Sequence, residues 1–379
     1  MSGEPVGDGT GESDFKKPKL DGPFTSLLGF GCWQLASTGG SGDYWGLEYT
    51  QDMANQNISK AVESGITFID TAGDYSKGAS ETQLGLALKA LDPNLRAKVV
   101  LATKIVPNLC CDVEAALDAS LARLQADSVD LYQVHWPIDK NAMAHFANGH
   151  ASFGASAEVD ESSVPSIEKT FKSLAALQAK GKIKRVGVCN FGVEQLKEAQ
   201  ATGCTIASNQ ICYNLIFRAA EFGIMDYCKA RGIRLIGYSP LMQGILHGRY
   251  ETPEEVPMYR ARTRHFAASR HSCSRHGEPG HEELTFKTLA ALNGVASKAG
   301  IPLCDLALAY PLAKGFDTVI AGFTKLEYID ANLKAVDRGL SKELVEELDA
   351  STQELKDAMG PNCDLWQGMV DGKQTGRVM

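Results

Sequence analysis

Short runs of β-branched and aliphatic residues alternate along the chain with longer stretches that carry apolar residues at helical spacing. Eight of the short runs predict strands. Their near-continuous apolar character is typical of parallel strands that are covered on both faces. The expected strands are 26–33, 67–72, 99–105, 130–136, 185–191, 206–212, 234–240 and 317–323.

The longer stretches predict amphipathic helices, and several begin after a capping residue or end at a glycine, as Asp112 and Gly181 illustrate. The expected helices are 52–64, 80–90, 112–125, 166–180, 193–201, 220–231 and 326–336. Two further stretches, 284–300 and 303–315, are also helical in pattern, and we expect one of them to be an added element.

Repetition of the strand–helix unit predicts an α/β protein with a closed (β/α)8 TIM barrel in a single domain. An open doubly wound sheet is the alternative, but no Gly-x-Gly-x-x-Gly follows the first strand. Two connections are longer than a barrel needs, 137–165 after the fourth strand and 241–283 after the seventh. We expect a disordered tail over 1–22, the barrel over 23–350 and a C-terminal extension over 351–379.

Composition and charge limit the function classes. The net charge of −8 and the pI near 5.6 argue against nucleic acid and anionic membranes as partners. No run approaches the roughly 18 apolar residues of a membrane helix, and the N-terminus lacks the apolar core of a signal peptide. Ten cysteines without regular spacing indicate free thiols in a reducing compartment. We therefore expect a cytoplasmic protein.

Two local clusters have simple interpretations. The KKPK run of the N-terminal tail could be a nuclear import signal, but a solvated tail is the simpler explanation. One group of His and Cys residues lies in the 241–283 connection, and its irregular spacing matches no zinc pattern, so we expect a polar loop and no metal. This group is His265, His271, Cys273, His276 and His281.

Four polar residues are expected at the carboxyl ends of the second, third and fourth strands, where a barrel builds its site. They are Asp70, Tyr75, Lys104 and His135. Reduction of a carbonyl needs a proton donor, and a phenol is a poor acid at neutral pH unless a nearby cation perturbs it. Lys104 would lower the pKa of Tyr75, Asp70 would orient Lys104, and His135 would bind the substrate oxygen. If only one of these four residues were present, a structural cap at the end of its strand would be the simpler explanation.

The residues around these positions resemble the aldo-keto reductase superfamily over about residues 25–340. The matching motifs are FIDTAGDY, LATKI and QVHWP, which carry the four residues, and GFGCWQL, GKIKRVGVCNF, SNQICYN, GYSPLMQGIL and VIAGFTKLEYIDANL, all in family order. The resemblance implies a barrel that binds NADP(H) across its strand ends without a Rossmann domain. It also implies reduction of an aldehyde or ketone by hydride transfer, with Tyr75 as general acid.

The resemblance further assigns residues to the cofactor and the substrate. Asn190 and Gln210 would hold the nicotinamide carboxamide, and Tyr213 would stack under its ring. Trp33 and Asp70 would approach the cofactor, and Trp33 and Trp136 would contact the substrate. The pyrophosphate would be bound by Ser239, Leu241, Gln243 and Gly244.

The adenosine end departs from the family pattern. Many NADP-preferring members carry basic residues after the last strand, where this chain has Gly322, Thr324 and Lys325, and Asn332 keeps its family position. Lys325, Thr324 and the helix N-terminus after Thr324 would bind the 2′-phosphate. Arginines of the 241–283 connection could help, namely Arg260, Arg262, Arg264, Arg270 and Arg275. NADP is the expected cofactor, and NAD is the alternative.

Other functions remain open at this point. Cys189 stands where many members have serine, so the carboxamide would rely on Asn190 and Gln210. The enzyme could instead oxidise a sugar or another alcohol, or the chain could be a cofactor-sensing regulatory subunit. The expected partner is a small carbonyl or alcohol substrate, and the sequence indicates neither its identity nor the oligomeric state.

Overall fold

The structure is a computed structural model that describes residues 24–38, 47–146, 158–272 and 274–367. The tail expected over 1–22 lies outside the described residues, as do Cys273 and part of the connection 137–165. No helix in the described part of the chain is long and apolar enough to cross a membrane.

Eight parallel strands form a closed barrel, in which each strand pairs with the next and β8 pairs with β1. The strands are β1 Leu28–Gly31, β2 Phe68–Asp70, β3 Val100–Ile105, β4 Val129–Val134, β5 Ile183–Cys189, β6 Ile206–Cys212, β7 Arg234–Tyr238 and β8 Thr318–Gly322. The predicted (β/α)8 barrel and the order of its strands are therefore confirmed.

Helices surround the barrel and connect its strands. They are α1 Gln51–Glu63, α2 Ala79–Ala90, α3 Pro93–Arg96, α4 Val113–Leu124, α5 Lys140–His145, α6 Ile167–Ala179, α7 Val193–Ala201, α8 Ile224–Arg231, α9 Glu282–Ala299, α10 Leu303–Ala313, α11 Glu327–Arg338 and α12 Lys342–Met359. Capping follows the sequence signals, since Asp112 accepts a hydrogen bond from the backbone nitrogen of Ala115.

Several boundaries differ from the prediction for local reasons. The fourth and fifth strands end at Val134 and Cys189, two residues earlier than expected, so the residues that follow leave the ladder at the barrel mouth. The helix expected over 220–231 begins only at Ile224, because Gly223 has a φ of 136° that no helix contains.

The chain after β7 adds elements to the basic barrel. Helix α10 contacts β8 and α11, whereas α9 packs against α12. Helix α10 is therefore the seventh barrel helix, and α9 is the added element. Helix α12 runs without interruption through position 350, so the last helix ends nine residues beyond the expected boundary of the barrel region.

The barrel interior changes from apolar to polar along the strands. Its lower part is an apolar cluster of Phe24, Phe68, Val100, Ala102, Leu131, Ile236 and Ile320. Because alternate residues of a strand face the same side, the next inward positions are two residues further along. On β2, β3 and β4 these positions are Asp70, Lys104 and Gln133. The fold therefore places a polar layer at the carboxyl ends of the strands.

The C-terminal segment is fixed to the long connection after β7. The backbone nitrogen of Arg264 donates to the carbonyl oxygen of Leu365 at 3.0 Å. Its guanidinium donates to the carbonyl oxygens of Met359 and Asn362, both at 3.0 Å. Arg264 thus satisfies free carbonyls at the end of α12 and holds residues 361–367 near the barrel mouth.

Candidate active site at the carboxyl end of the barrel

Lys104 lies at the centre of the polar layer. Its Nζ donates to Oδ2 of Asp70 at 2.6 Å, to the carbonyl oxygen of Thr71 at 2.8 Å and to the hydroxyl oxygen of Tyr75 at 3.1 Å. Burial acts to lower the pKa of Lys104, but the Asp70 carboxylate and the Tyr75 oxygen outweigh it and raise the pKa above its usual value. Lys104 is an ammonium whose three protons are all engaged.

Tyr75 accepts one of these protons. Burial is the largest influence on its hydroxyl and raises its pKa above the usual 10.0, while Lys104 opposes this effect and Asp70 adds to it. The expectation that Lys104 lowers the pKa of Tyr75 is confirmed for the contribution of Lys104 itself, but the cost of burying a phenolate outweighs it, so the net pKa is raised. Tyr75 keeps its proton at neutral pH, and among the described residues no acceptor for that proton is found.

Asp70 is held by two amides as well as by Lys104. Its Oδ1 accepts from Nε2 of Gln210 at 2.9 Å and from Nε2 of Gln133 at 3.1 Å. Since Oδ2 accepts from Lys104, both carboxylate oxygens have donors and the side chain has one orientation. Gln210 thus lies in the site as expected, and Gln133 is a support that the sequence analysis missed.

His135 lies beside Tyr75, and their ring centroids are 5.6 Å apart with an interplanar angle of 72°. Its Nδ1 lies 2.9 Å from Oδ1 of Asp74, and the two side chains are only 9% and 7% exposed. Burial acts to raise the pKa of Asp74, but His135 and Lys104 outweigh it and the pKa is lowered. Asp74 is therefore a buried carboxylate paired with His135, a contact that the sequence analysis did not predict.

Asn190 joins the fourth, fifth and seventh strands at the barrel mouth. Its Nδ2 donates to the carbonyl oxygen of His135 at 3.0 Å, and its Oδ1 accepts from the hydroxyl of Tyr238 at 2.7 Å. Its backbone is left-handed, with a φ of 62°, a conformation that asparagine tolerates better than most residues. Asn190 also lies against Cys189, whose Sγ is 3.2 Å from its Nδ2.

Tyr213 does not lie in the site. It is fully buried outside the barrel, with its ring stacked 4.5 Å from Phe316 and 5.9 Å from Tyr310. Its hydroxyl donates to Glu221 at 2.5 Å. The prediction that Tyr213 stacks under a nicotinamide ring is wrong, because both faces of its ring lie among core residues. Tyr238 at the end of β7 is an aromatic residue that does reach the barrel mouth, where its hydroxyl meets Asn190, and it is only partly buried.

Apolar side chains flank the polar centre. The ring centroid of Trp33 lies 6.3 Å from that of Tyr75, and the centroid of Trp136 lies 6.3 Å from that of His135. Trp136 forms a cluster with Val106, Ala142 and Phe146, against which Trp366 packs. Both tryptophans expected at the substrate are therefore beside the polar centre. Trp366, near the C-terminus, packs against the same cluster and was not predicted to lie there.

The segment after β7 bends sharply. Ser239, Gln243 and Gly244 have φ values of 54°, 56° and 90°, and Leu241 lies between these bends. A Cβ on Gly244 would lie 3.0 Å from Nη1 of Arg260 and 3.5 Å from Nη2 of Arg249.

Two of the loop arginines that the sequence analysis named are already paired with carboxylates. Arg264 pairs with Glu278 at 3.1 Å, and Arg270 pairs with Glu282 at 2.5 Å. Within the described ranges, Arg260 and its neighbour Arg249 have no carboxylate partner. These two arginines therefore carry unbalanced positive charge beside Gly244.

The residues after β8 form a more open surface. Gly322 ends the strand, and the side-chain oxygen of Gln34 lies 2.9 Å from where its Cβ would be. Thr324 is half-buried. Lys325 is 60% exposed and lies 3.6 Å from Oε1 of Glu327, at the start of α11. Asn332 lies on the same helix. The charge of Lys325 is thus partly balanced by a neighbour.

The histidine-rich part of the loop forms a structural core. Nε2 of His265 lies 2.8 Å from the carbonyl oxygen of Ile216, and burial lowers the pKa of His265 to about 4. A neutral His265 therefore donates to Ile216. The described residues, which leave out Cys273, contain no group of three His, Cys, Asp or Glu side chains placed to hold a metal ion.

Residues 27–353 match the model of the Aldo/keto reductase family. The chain belongs to this family. Members act on small carbonyl compounds, and this aldo-keto reductase is an oxidoreductase. It is 32% identical over 235 residues to "Aldo-keto reductase YhdN" of Bacillus subtilis (strain 168), which covers 59% of this chain and 61% of that protein.

A longer alignment relates this aldo-keto reductase to "Pyridoxal reductase, chloroplastic" of Arabidopsis thaliana, with 28% identity over 365 residues and coverage of 92% and 89%. Among solved structures, it is similar to the thermostable aldo-keto reductase Tm1743 in complex with the inhibitor epalrestat. That comparison has a TM-score of 0.62 and 25% identity, and it covers 86% of this chain and 95% of the other. The resemblance drawn from the motifs is confirmed.

Proposed function

We propose that this aldo-keto reductase uses NADPH to reduce an aldehyde or ketone to an alcohol, with Tyr75 as the general acid. The observation that carries the proposal is the position of Lys104, whose Nζ lies 2.6 Å from Asp70 and 3.1 Å from the Tyr75 hydroxyl. In this contact Tyr75 accepts a hydrogen bond. Its own O–H therefore remains available to donate to a carbonyl oxygen.

Lys104 offsets the cost of removing the Tyr75 proton. As the proton moves to the carbonyl oxygen, negative charge develops on the phenolic oxygen next to the ammonium. The attraction is stronger in this buried site than in water, because the local dielectric is lower. Asp70 keeps the ammonium aimed at Tyr75, and water then restores the proton of Tyr75 through the open mouth. His135 would hold the same carbonyl oxygen from beside Tyr75.

The residues present fit a dinucleotide along the barrel mouth. The chemistry that NADPH would supply here is transfer of a hydride to the carbonyl carbon. Asn190 and Gln210 offer amide groups at the reacting end, and Tyr238 offers an aromatic face in the role that the sequence analysis gave to Tyr213. Trp33 and Trp136 would contact the substrate.

The phosphate end offers positive charge and polar atoms. Arg249 and Arg260 flank Gly244, and the bent segment from Ser239 would hold a pyrophosphate there. The Nε atom of Arg260 is buried and has no hydrogen-bond partner among the described residues. Buried polar atoms of this kind need a partner, and a polar ligand would supply one. Gly322, Thr324, Lys325 and Asn332 would lie near the adenosine.

Replacement of Tyr75 by phenylalanine tests the proposal. We expect Tyr75→Phe to lower kcat by at least about 100-fold, since general acid catalysis contributes about 10²–10⁴-fold. The affinity for NADPH, measured by fluorescence titration, should stay within about twofold. Tyr227→Phe is the matched control, because Tyr227 lies on α8 and its hydroxyl contacts Gln200. Turnover by Tyr75→Phe at the wild-type rate would contradict the assignment.

The direction and the cofactor are tested on the unmodified enzyme. NADPH and NADH consumption should be followed with a panel of aldehydes, ketones and aldoses, and the reverse reaction with the matching alcohols. We expect turnover with NADPH in the reducing direction. Tight binding of NADPH without turnover of any compound would instead favour a cofactor-sensing subunit.

A further inference from the structure

Asp74 is a buried carboxylate next to the proposed acid, and the mechanism above leaves it without a role. It precedes Tyr75 in the turn after β2, and its Oδ1 lies 2.9 Å from Nδ1 of His135. The two side chains are 7% and 9% exposed, so this contact is shielded from solvent. A buried carboxylate is costly to keep unless it is paired, which makes the contact with His135 a defined feature.

The contact decides which protons His135 can offer. A carboxylate oxygen only accepts hydrogen bonds, so Nδ1 of His135 must carry a proton. In a neutral imidazole the other nitrogen, Nε2, then has only a lone pair and cannot donate to a carbonyl oxygen. A doubly protonated imidazolium donates from both nitrogens. If His135 is to bind a substrate carbonyl through Nε2, it must do so as the cation.

Two titratable groups contact His135 directly, Asp74 at its Nδ1 and Tyr75 at its ring. The other charged or titratable groups act on these two or lie one side chain further away. Lys104 acts on Asp74 and Tyr75, Asp70 and Cys189 act on Tyr75, and His145 packs against Phe146, whose ring centroid lies 6.0 Å from that of His135. The charges of Asp70 and Lys104 balance each other. The carboxylate of Asp74 is therefore the one that remains to balance a positive His135.

We propose that Asp74 is a positioning residue that holds His135 as an imidazolium, so that Nε2 donates to the substrate oxygen beside the Tyr75 hydroxyl. This inference rests on the proposed carbonyl reduction and adds to it a second donor, which is charged, beside the neutral hydroxyl of Tyr75. Asp74 acts through His135 and does not itself touch the substrate. Its removal should therefore change the pH dependence of the reaction and leave cofactor binding unchanged.

The test variant, Asp74→Asn, removes the negative charge of the Asp74 side chain and keeps its shape. In Asp74→Asn the amide oxygen still accepts from Nδ1, but it no longer compensates a positive ring. We expect kcat/KM to fall by about 10–100-fold at pH 8, the range set by loss of a hydrogen bond between charged groups. We also expect the decline of kcat/KM with rising pH to begin at a lower pH than in the wild type. Asp226→Asn, at an exposed position of α8, is the matched control and should match the wild type.

Two further measurements separate this role from a purely structural one. Nitrogen-15 spectra of histidine-labelled enzyme, assigned by the loss of a signal in His135→Gln, should show the doubly protonated ring persisting to a higher pH in the wild type than in Asp74→Asn. In a His135→Gln background, Asp74→Asn should change kcat/KM by less than about twofold, since it acts through the lost ring.

The outcomes distinguish this inference from the proposed function. If the wild type reduces carbonyls and Tyr75→Phe does not, but Asp74→Asn keeps the wild-type pH profile and histidine spectrum, then Asp74 does not have this role and the proposed function stands. If Tyr75→Phe retains full turnover, the proposed function fails, whatever Asp74→Asn does. An unchanged affinity for NADPH confirms that a loss in Asp74→Asn does not come from misfolding.

Discussion

The ammonium nitrogen of Lys104 lies 2.6 Å from a carboxylate oxygen of Asp70, and the two side chains are 0% and 3% exposed. Taking both charges out of water is costly, and each is tolerated because the other is present. The pair therefore adds little net stability to the fold, and it mainly defines the geometry of the site. Its main effect is to fix an ammonium against the Tyr75 hydroxyl.

Removing one member of this pair should be worse for stability than removing both. We expect Asp70→Asn to lower the free energy of unfolding by about 3–5 kcal/mol, because it leaves Lys104 charged and buried. Asp70→Asn combined with Lys104→Met should recover much of that loss and yet remain inactive. Urea unfolding and NADPH oxidation assays would check this. A double variant that is less stable than Asp70→Asn would contradict it.

The roles proposed for Arg260 and Lys325 can be separated by comparing the binding of NADPH with that of NADH. Arg260 lies beside Gly244, where we expect the pyrophosphate that both cofactors carry. Arg260→Gln should therefore weaken both by about 10-fold or more, the value of a lost charge-assisted hydrogen bond. Lys325 is exposed and shares its charge with Glu327, so Lys325→Ala should weaken NADPH alone, and by a smaller factor.

Dissociation constants from fluorescence titration would decide between these roles. Arg231→Gln is a suitable control, because Arg231 stacks on Tyr227 on the outer surface. A loss of NADPH affinity in Arg260→Gln without a loss of NADH affinity would indicate that Arg260 binds the 2′-phosphate, and that this phosphate and not the pyrophosphate lies beside Gly244.

The barrel and most of its site could be predicted because both depend on short-range patterns. Runs of apolar residues mark strands that are buried on both faces, and the polar residue that ends a run marks the mouth. The same alternation could have corrected the error at Tyr213. Tyr238 lies two residues after the inward Ile236, whereas Tyr213 lies three after the inward Gln210 and must face outward.

Other features depend on loop geometry and burial, which the sequence does not show. Asp74 was visible as an acid next to Tyr75, but its contact with His135 requires the path of the turn after β2. The raised pKa of Tyr75 likewise depends on how much water the folded site excludes. Trp366 reaches the site from the far end of the chain because Arg264 holds the C-terminal segment there.

Glu221 should make the protein sensitive to acid. Burial acts to raise its pKa, but hydrogen bonds from Arg218 and Tyr213 and nearby cations lower it from 4.5 to about 2. Because the pKa is lower in the folded state, Glu221 stabilises the fold fully above about pH 5, and this stability is lost as the pH falls from 4.5 towards 2.

Thermal or urea unfolding between pH 7 and pH 3 would measure this contribution. The difference in stability between the wild type and Glu221→Gln should shrink as the pH falls below about 4.5. Glu194→Gln on α7, where the carboxylate is 55% exposed, should show no such convergence. A constant difference across the whole range would mean that Glu221 is not the titrating group.

Trp366 should influence which substrates are reduced. It packs against the cluster of Trp136 and Phe146 beside His135, and Arg262 lies 5.9 Å from its ring. Trp366→Ala removes apolar surface from that side of the site, so we expect KM for aldehydes with large apolar groups to rise about 10-fold. The kcat/KM for a short aliphatic aldehyde, which is too small to reach Trp366, should change by less than about threefold.

Trp366→Phe is an intermediate variant, because it keeps an aromatic ring. Its KM for the large apolar aldehydes should lie between the values of the wild type and Trp366→Ala. An equal loss for large and small substrates in Trp366→Ala would show that the residue supports the fold of the C-terminal segment and does not line the pocket.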